Sequence, residues 1–324
     1  MDILGKIGKF RRETHSDLLP FPVRALLRFL KIFGDGFRFG AVNRHCRPQV
    51  IRSCFEYWAL AIRRDLAKVY GNSHDPERPF HVLGMNLYSF SAETLFALIS
   101  EIFLEREYAV ELAADEPVIF DCGSNIGISI LFFKQMYPRA KITGFEPDKK
   151  TFELLKRNVA ENGLKDVSLH NVALSFEAGE AAFYSDSRTP GSLIMSLFKE
   201  RMDGEARKVP CAPLSSFVQA SVDLLKMDIE GAEMDVLREL AASGALSNVK
   251  YMVIEYHHKT RSQDRLSEML LLLDECSFGY DVAAVMPYAL GNSQDVLLRI
   301  YRRGEAPPES RKMLAEHTAQ LKTS

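Results

Sequence analysis

The chain has 324 residues, 47% of them hydrophobic, which is enough for one large core plus additional elements. A formal net charge of −2 excludes a global electrostatic pull toward nucleic acid or acidic partners. No apolar run reaches the ~18–20 residues that a transmembrane helix needs, and the stretch MDILGKIGKFRRETHSD has no apolar segment of the kind a signal peptide carries.

Five cysteines (Cys46, Cys54, Cys122, Cys211 and Cys276) are scattered, without CxxC or zinc spacing. That pattern suits free thiols in a reducing cytoplasm. Charge is uneven: residues 1–50 carry ten Lys/Arg against four acids, a local excess of six positive charges. There is no internal repeat.

Residues 1–85 read as a helical, loop-interrupted extension. In PFPVRALLRFLKIFGDG (20–36), Val23, Leu26, Leu27 and Leu30 share one helical face, while Arg24, Arg28 and Lys31 take the other. Gly34 and Gly36 end that helix. Two readings stand: a membrane-surface helix drawn to anionic lipid, or a helix packed on the next domain with a solvated basic face. IRSCFEYWALAIRRDLAKVY (51–70) is a second helix, and the polar loop GNSHDPERP (71–79) marks a boundary.

From Ser91 the metre changes, beginning with a helix over SAETLFALISEIFLEREY. Strands are expected at 117–121, 141–146, 167–174, 223–228 and 250–256, with helices over 126–137, 148–163, 231–240 and 265–276 between them. Asp148 is the expected N-cap of the helix that Gly163 ends. YDVAAVM and QDVLLRIY close the chain as two strands with no helix between them. Alternating strands and helices imply a mostly parallel sheet covered on both faces, and the closing pair implies an antiparallel edge. Residues 86–304 then form the main domain and 305–324 a tail. Residues 175–222 break the metre as a long insertion. EAAFYSD is a short strand within it and RTPGSLIMSLFKERMDGEARK is loop-like, which favours a lid with Gly191, Ser192 and Ser196 as candidate acceptor contacts.

Open parallel sheets bind ligands beyond the carboxyl ends of their strands. There the first strand ends at Asp121, followed by the loop Cys122-Gly123-Ser124-Asn125-Ile126-Gly127. Glycine lets the backbone approach a ligand that a Cβ would hold away. The second strand ends at Glu146, an acid suited to both hydroxyls of a ribose. A dinucleotide fingerprint needs G-x-G-x-x-G, and Asn125 and Ile128 stand where glycines belong. An acid in the turn is poor company for pyrophosphate but suits an ammonium. The expected cofactor is therefore S-adenosylmethionine, its carboxylate on the helix N-terminus and loop amides, with Asp121 facing the cationic end.

The segments VIFDCGSNIGISI, ITGFEPDKKTFELLKRN, VALS, LLKMDIEGAE and MVIEYHH occur in the order of the FkbM family of S-adenosylmethionine-dependent methyltransferases. The resemblance covers about residues 115–260 and extends more weakly to about 302. It is most specific in K-x-D-x-E-G-A-E (Lys226–Glu233), and Ser124 and Cys122 depart slightly from the usual loop. It implies an α/β class I methyltransferase (Rossmann-like) fold with seven strands, the last antiparallel. It also implies O-methylation of a hydroxyl on a saccharide, glycolipid or secondary metabolite, a small-molecule or glycan acceptor. Asn171, Val172 and Ala173 resemble the segment that lines adenine.

Deprotonating a hydroxyl calls for a general base near the methyl. Asp228, Glu230, Glu255 and His257 are the candidates, with His257 favoured as base or orienting residue and Glu255 on the same side of the strand. Blander readings compete: Glu230 and Glu233 as carboxylates at a helix N-terminus, His258 as structural, Lys226 as a strand residue paired with an acid. Asp228 with Glu255 suits a divalent metal, but no third acid is placed with them, so no metal is expected. No basic–aromatic groove for nucleic acid is present, and the N-P-P-Y signature of many amino-group methyltransferases is absent. An NAD-dependent oxidoreductase and a non-catalytic scaffold on the same fold are the alternatives.

Overall fold

The structure, a computed structural model, describes residues 47–71, 74–185, 205–258, 266–287 and 294–304. The basic helix expected within 20–36, Cys46, the insertion residues Gly191, Ser192 and Ser196, the side chain of His258 and the 305–324 tail lie outside them.

In chain order the elements are α1 (Arg47–Tyr70), β1 (Phe80–Val82), β2 (Met85–Leu87), α2 (Ala92–Leu98), β3 (Val118–Cys122), α3 (Ile128–Met136), β4 (Lys141–Phe145), α4 (Lys149–Glu161), β5 (Val167–His170), β6 (Ala173–Leu174), β7 (Gly179–Ser185), β8 (Glu205–Ala212), β9 (Val222–Met227), α5 (Glu233–Ala242), β10 (Val249–His258), α6 (Leu266–Glu275), β11 (Phe278–Pro287) and β12 (Gln294–Arg302). Contacts divide them into two compact units.

The first unit takes in the described residues from Arg47 to Glu107 together with 126–128 and 153–164. Ser91 caps α2 by accepting from the Thr94 amide, and the helix runs on through Ile99–Leu104 as a π-helical turn. Tyr57 of α1 stacks on Phe96 at 5.2 Å and its hydroxyl meets Ser100 Oγ at 3.0 Å. Asn158, wholly buried, imitates a strand partner. Its Oδ1 accepts from the Tyr88 amide at 2.7 Å, and its Nδ2 donates to the carbonyls of Tyr88 and Ile126 at 3.0 and 2.7 Å. A buried backbone segment needs such partners, and one amide side chain supplies three.

The second unit holds the seven-stranded sheet in the order β11-β12-β10-β9-β3-β4-β5. β3, β4, β5, β9 and β10 pair in parallel. The expected antiparallel margin is built by β12, last in sequence, which inserts between β10 and β11 and runs against both. This is the α/β class I methyltransferase topology. β9 (VDLLKM) is buried at every position, as a central strand covered on both faces must be. Phe120, Leu225, Val236, Leu240, Met252 and Leu298 belong to one core cluster that joins the sheet to the helices covering it. In α4, Asp148 is the N-cap expected from the sequence: its Oδ1 accepts from the Thr151 amide at 2.9 Å.

Two expectations need correction. The strand expected over 167–174 breaks at Asn171-Val172 into β5 and β6, which join different sheets. β7 is the short strand expected within the insertion, but the stretch read as loop, 188–208, runs into another: Glu205–Ala212 pairs antiparallel with β7 from Gly179↔Cys211 to Ser185↔Glu205 and parallel with β6. Its sequence, EARKVPCA, alternates weakly and contains a proline, so a strand signal was hard to find. Among the described residues no helix is long and apolar enough to cross a membrane.

Candidate active site

Sheet register brings the site together. In the parallel pairing of β3 and β9, Asp121 lies abreast of Lys226 and Cys122 abreast of Met227. In that of β10 and β9, Ile254 lies abreast of Met227, so Asp228, just past the end of β9, comes beside Glu255 of β10. Residues about a hundred positions apart in sequence thereby share one edge.

The loop after β3 is locked to its neighbours. The amides of Gly123 and Ser124 both donate to the Phe145 carbonyl, at 3.1 and 2.8 Å, and the Asp228 amide donates to the Cys122 carbonyl at 3.1 Å. Gly123 has φ +81°, and a Cβ there would stand 1.8 Å from the Asp228 carbonyl oxygen. Only glycine permits this close backbone approach of loop to strand end. Gly127, within the first unit, has φ +88°, and a Cβ would meet Leu155 Cδ1 at 2.6 Å.

Several residues expected at the cofactor make internal contacts. Asp121 is wholly buried: its Oδ2 accepts from Ser129 Oγ at 2.6 Å, and its Oδ1 lies 3.4 Å from Lys226 Nζ. These contacts anchor the loop. Ser124, expected to touch the cofactor, turns inward: its Oγ donates to the Asp121 carbonyl at 2.8 Å and accepts from the Phe145 amide at 3.1 Å. Ala173 packs with Phe183 and Val209 in a small separate core and does not line an open face, and Val172 packs on the main core. Asn171 donates to the carbonyls of Glu146 and Pro147 at 2.8 and 3.0 Å, so it shapes the turn after β4. Ser124 and Asn171 thus satisfy nearby backbone groups, a requirement that loop spacing alone does not reveal.

Glu146 is where the ribose reading placed it, just past the end of β4. Its Oε2 accepts from the Asn125 amide at 3.1 Å and its Oε1 from the Asp148 amide at 2.8 Å. Each carboxylate oxygen has two lone pairs, so capacity remains for hydroxyl donors. Burial pushes this carboxyl up to about 8, against the pull of the two amides. Asn125 itself takes φ +47°, a left-handed conformation that asparagine tolerates better than most residues.

Lys226 is the electrostatic hub. Its buried ammonium donates to the Gly123 carbonyl at 2.7 Å and lies 3.4 Å from Asp121 and 3.7 Å from Asp228. Burial pulls its pKa down, but Asp121 and then Asp228 outweigh that and hold it above the usual lysine value. Tyr108, which no motif announced, lies beneath it, with the ammonium 5.0 Å from the ring centroid. The Tyr108 hydroxyl donates to Asp228 Oδ2 at 3.1 Å and lies 3.4 Å from Glu255 Oε2. The sequence placed Lys226 in the strand beside an acid, and that is where it stands.

His257 is brought to Asp228 and Glu230: its Nε2 faces their carboxylates at 3.7 and 3.4 Å. Its Nδ1 lies 2.9 Å from Glu233 Oε1, while Glu255, expected beside it from strand alternation, brings a carboxylate oxygen within 4.8 Å of the ring. Strand geometry puts Glu255 and His257 on one side, and the helix start after β9 folds Glu233 against the ring. Glu230 sits in a left-handed conformation (φ 60°) and is followed by Gly231 at φ 112°. A non-glycine residue held there costs about 1–3 kcal/mol and clusters at functional sites.

Asp228, Glu230 and His257 offer three ligand atoms within 4.8 Å of one another, as do Glu255, His257 and Asp295. Asp228 and Glu255, paired in the sequence reading, fall in separate groups that share His257. Asp295 of β12 lies opposite His257 in the antiparallel register.

The model of the methyltransferase FkbM domain matches residues 121–282, half of the chain. The chain belongs to the FkbM methyltransferase family. Relatives include methyltransferase 1 of Beauveria bassiana, 31% identical over 163 residues, covering 43% of this chain and 65% of the relative. The 2-O-methyltransferase NoeI of Sinorhizobium fredii is 26% identical over 226 residues, covering 64% of this chain and 89% of that protein. The 31-O-demethyl-FK506 methyltransferase FkbM of Streptomyces tacrolimicus is 29% identical over 174 residues, covering 43% and 66%. The chain thus spans about two thirds of the length of the first and last of these. The family's match begins at Asp121 and takes in the loop, Glu146, Lys226, Asp228, Glu230, Glu233, Glu255 and His257.

Proposed function

We propose that the protein transfers a methyl group from S-adenosylmethionine to a hydroxyl of a small-molecule or glycan acceptor. The observation that carries this is the backbone contact between the Gly123 loop and Asp228. It sets the candidate cofactor loop directly beside the proton-accepting cluster of Asp228, Glu230 and His257. Methyl transfer by in-line displacement needs that adjacency, because positioning supplies much of the rate.

The residues fit the methyl donor in two respects. Glu146 retains acceptor capacity for two ribose hydroxyls. The strand ends also carry three carboxylates (Asp228, Glu230 and Glu255) against the one ammonium of Lys226, a field that favours a sulfonium and opposes the pyrophosphate of NAD. When bound, S-adenosylmethionine supplies an electrophilic methyl. The acceptor oxygen forms the new O–CH3 bond, the S–CH3 bond breaks with its electron pair going to sulfur, and the hydroxyl proton goes to His257 Nε2. Asp228 and Glu230 offset the positive charge that the ring then carries. Oxygen as the acceptor atom is supported by the relatives whose names specify an atom, the 2-O- and 31-O-methyltransferases.

Calorimetric titration with S-adenosylmethionine, with NAD as comparator and Glu146→Ala as control, tests the reading. Binding of S-adenosylmethionine alone, weakened in the variant, is the expected result. A folded protein that binds NAD, or neither molecule, overturns it.

A further inference from the structure

We propose that Glu233 is a positioning residue that fixes His257 in the tautomer protonated at Nδ1 and stabilises the imidazolium formed when Nε2 takes the acceptor's proton. This inference rests on the reading that His257 Nε2 is the base.

Glu233 opens α5 and is wholly buried. Its Oε1 accepts from the amides of Ile229 and Gly231 at 3.2 and 2.9 Å and lies 2.9 Å from His257 Nδ1. An ionised carboxylate can only accept, so the shared proton belongs to Nδ1, and in the neutral ring the lone pair is then on Nε2. That nitrogen faces Asp228 and Glu230, both partly exposed. Which nitrogen of a histidine carries the proton is set by the bond the other makes.

A helix-capping role alone does not account for the charge. A glutamine would offer the same acceptor oxygen to Ile229 and Gly231 without burying an ion, which is costly unless the ion is paired. Glu233 Oε2 has no hydrogen-bond partner among the described residues, so the carboxylate is not there to satisfy a larger backbone network. Burial alone would raise the Glu233 carboxyl, but the His257 ring and the hydrogen bonds outweigh it and hold the group below its usual value. A buried carboxylate kept ionised against an imidazole has its largest effect when that imidazole becomes charged.

The test is nitrogen-15 NMR of the full chain labelled at histidine, with His257 assigned by its loss in His257→Asn. The expected wild-type pattern is a protonated Nδ1 and a bare Nε2, converted in Glu233→Ala to Nε2–H or to a mixture. A wild-type ring protonated at Nε2, or an Nδ1–H tautomer that survives in Glu233→Ala, overturns the proposal. Should that variant not fold, Glu233→Gln keeps the oxygen and removes only the charge. With a hydroxylated acceptor that the wild type methylates, it should lower kcat by about 10²-fold and leave the KM for S-adenosylmethionine unchanged. An unchanged kcat overturns the proposal. Absence of S-adenosylmethionine binding in the labelled wild-type sample defeats the functional reading and the catalytic part of this one. The wrong tautomer in a sample that does bind it defeats the positioning role alone.

Discussion

Gly123→Ala isolates the contact on which the site is built. The new Cβ would stand 1.8 Å from the Asp228 carbonyl oxygen and 2.9 Å from its carbonyl carbon. Carbon–oxygen contacts rarely fall below about 3.2 Å, so loop and strand end must separate by roughly 1.4 Å. Both are backbone, pinned by the Phe145 and Cys122 carbonyls, and neither can rotate aside as a side chain would. The left-handed φ of +81° adds ~1–2 kcal/mol for any residue with a Cβ, and overpacking of this kind costs ~1–3 kcal/mol more. The expected loss is therefore about 2–5 kcal/mol in urea unfolding. Gly163→Ala is the internal control. Its φ is +62° and nothing lies within 4 Å of the added Cβ, so it should lose only the ~1–2 kcal/mol of backbone strain. Gly123→Ala should also abolish S-adenosylmethionine binding in calorimetry, whereas Gly163→Ala should not change it. Equal destabilisation by the two substitutions, or intact binding by Gly123→Ala, would refute the argument that loop and Asp228 are in contact.

Lys226→Met should destabilise by about 3–5 kcal/mol, because it strands the buried carboxylate of Asp121; adding Asp121→Asn should recover part of this, and purely additive losses in denaturant melts would count against the pairing. Glu146 predicts a pH dependence. Its carboxyl, raised to about 8 in the folded chain from an ordinary 4.5, keeps its proton between those values while the unfolded chain releases it. Stability therefore falls as pH rises through that window, by at most ~1.4 kcal/mol per unit. Ribose hydroxyls donate best to the ionised form, so S-adenosylmethionine affinity should climb from pH 6 to 8 and level off above, with proton release seen in buffers of different ionisation enthalpy; a flat profile would contradict the raised value. Asn158→Ala leaves the Tyr88 amide and the Tyr88 and Ile126 carbonyls without their partner, and thermal unfolding should register a loss of about 2–4 kcal/mol. Methyl transfer should survive exhaustive chelation; activity lost to a chelator and restored by Mg2+ or Mn2+ would make Asp228, Glu230 and His257 a metal site and displace His257 as the base.

Helix and strand identities followed from local pattern, since hydrophobic period and glycine placement are properties of neighbouring residues. The Asp148 cap, the run of parallel strands and the antiparallel closing pair were all legible for that reason, as was the family through K-x-D-x-E-G-A-E. Strand β8 was not, because its proline and weak alternation conceal a strand that forms only against β7. The site was legible as a set of residues but not as a set of partnerships.

A loop sequence does not disclose that Ser124 Oγ bonds the backbone of Asp121 and Phe145, or that Asp121 meets Ser129 and Lys226. Tyr108 carries no motif; it joins Asp228 and Glu255 only through contacts across 120 and 147 positions. Sequence alone fixed that carboxylates and a histidine end the central strands, because those positions are set by where each apolar run stops. That Glu233 also reaches His257, and that Lys226 neutralises Asp121, was decided by strand register and by the left-handed turn at Glu230 and Gly231. These are geometric facts that depend on the whole sheet being assembled.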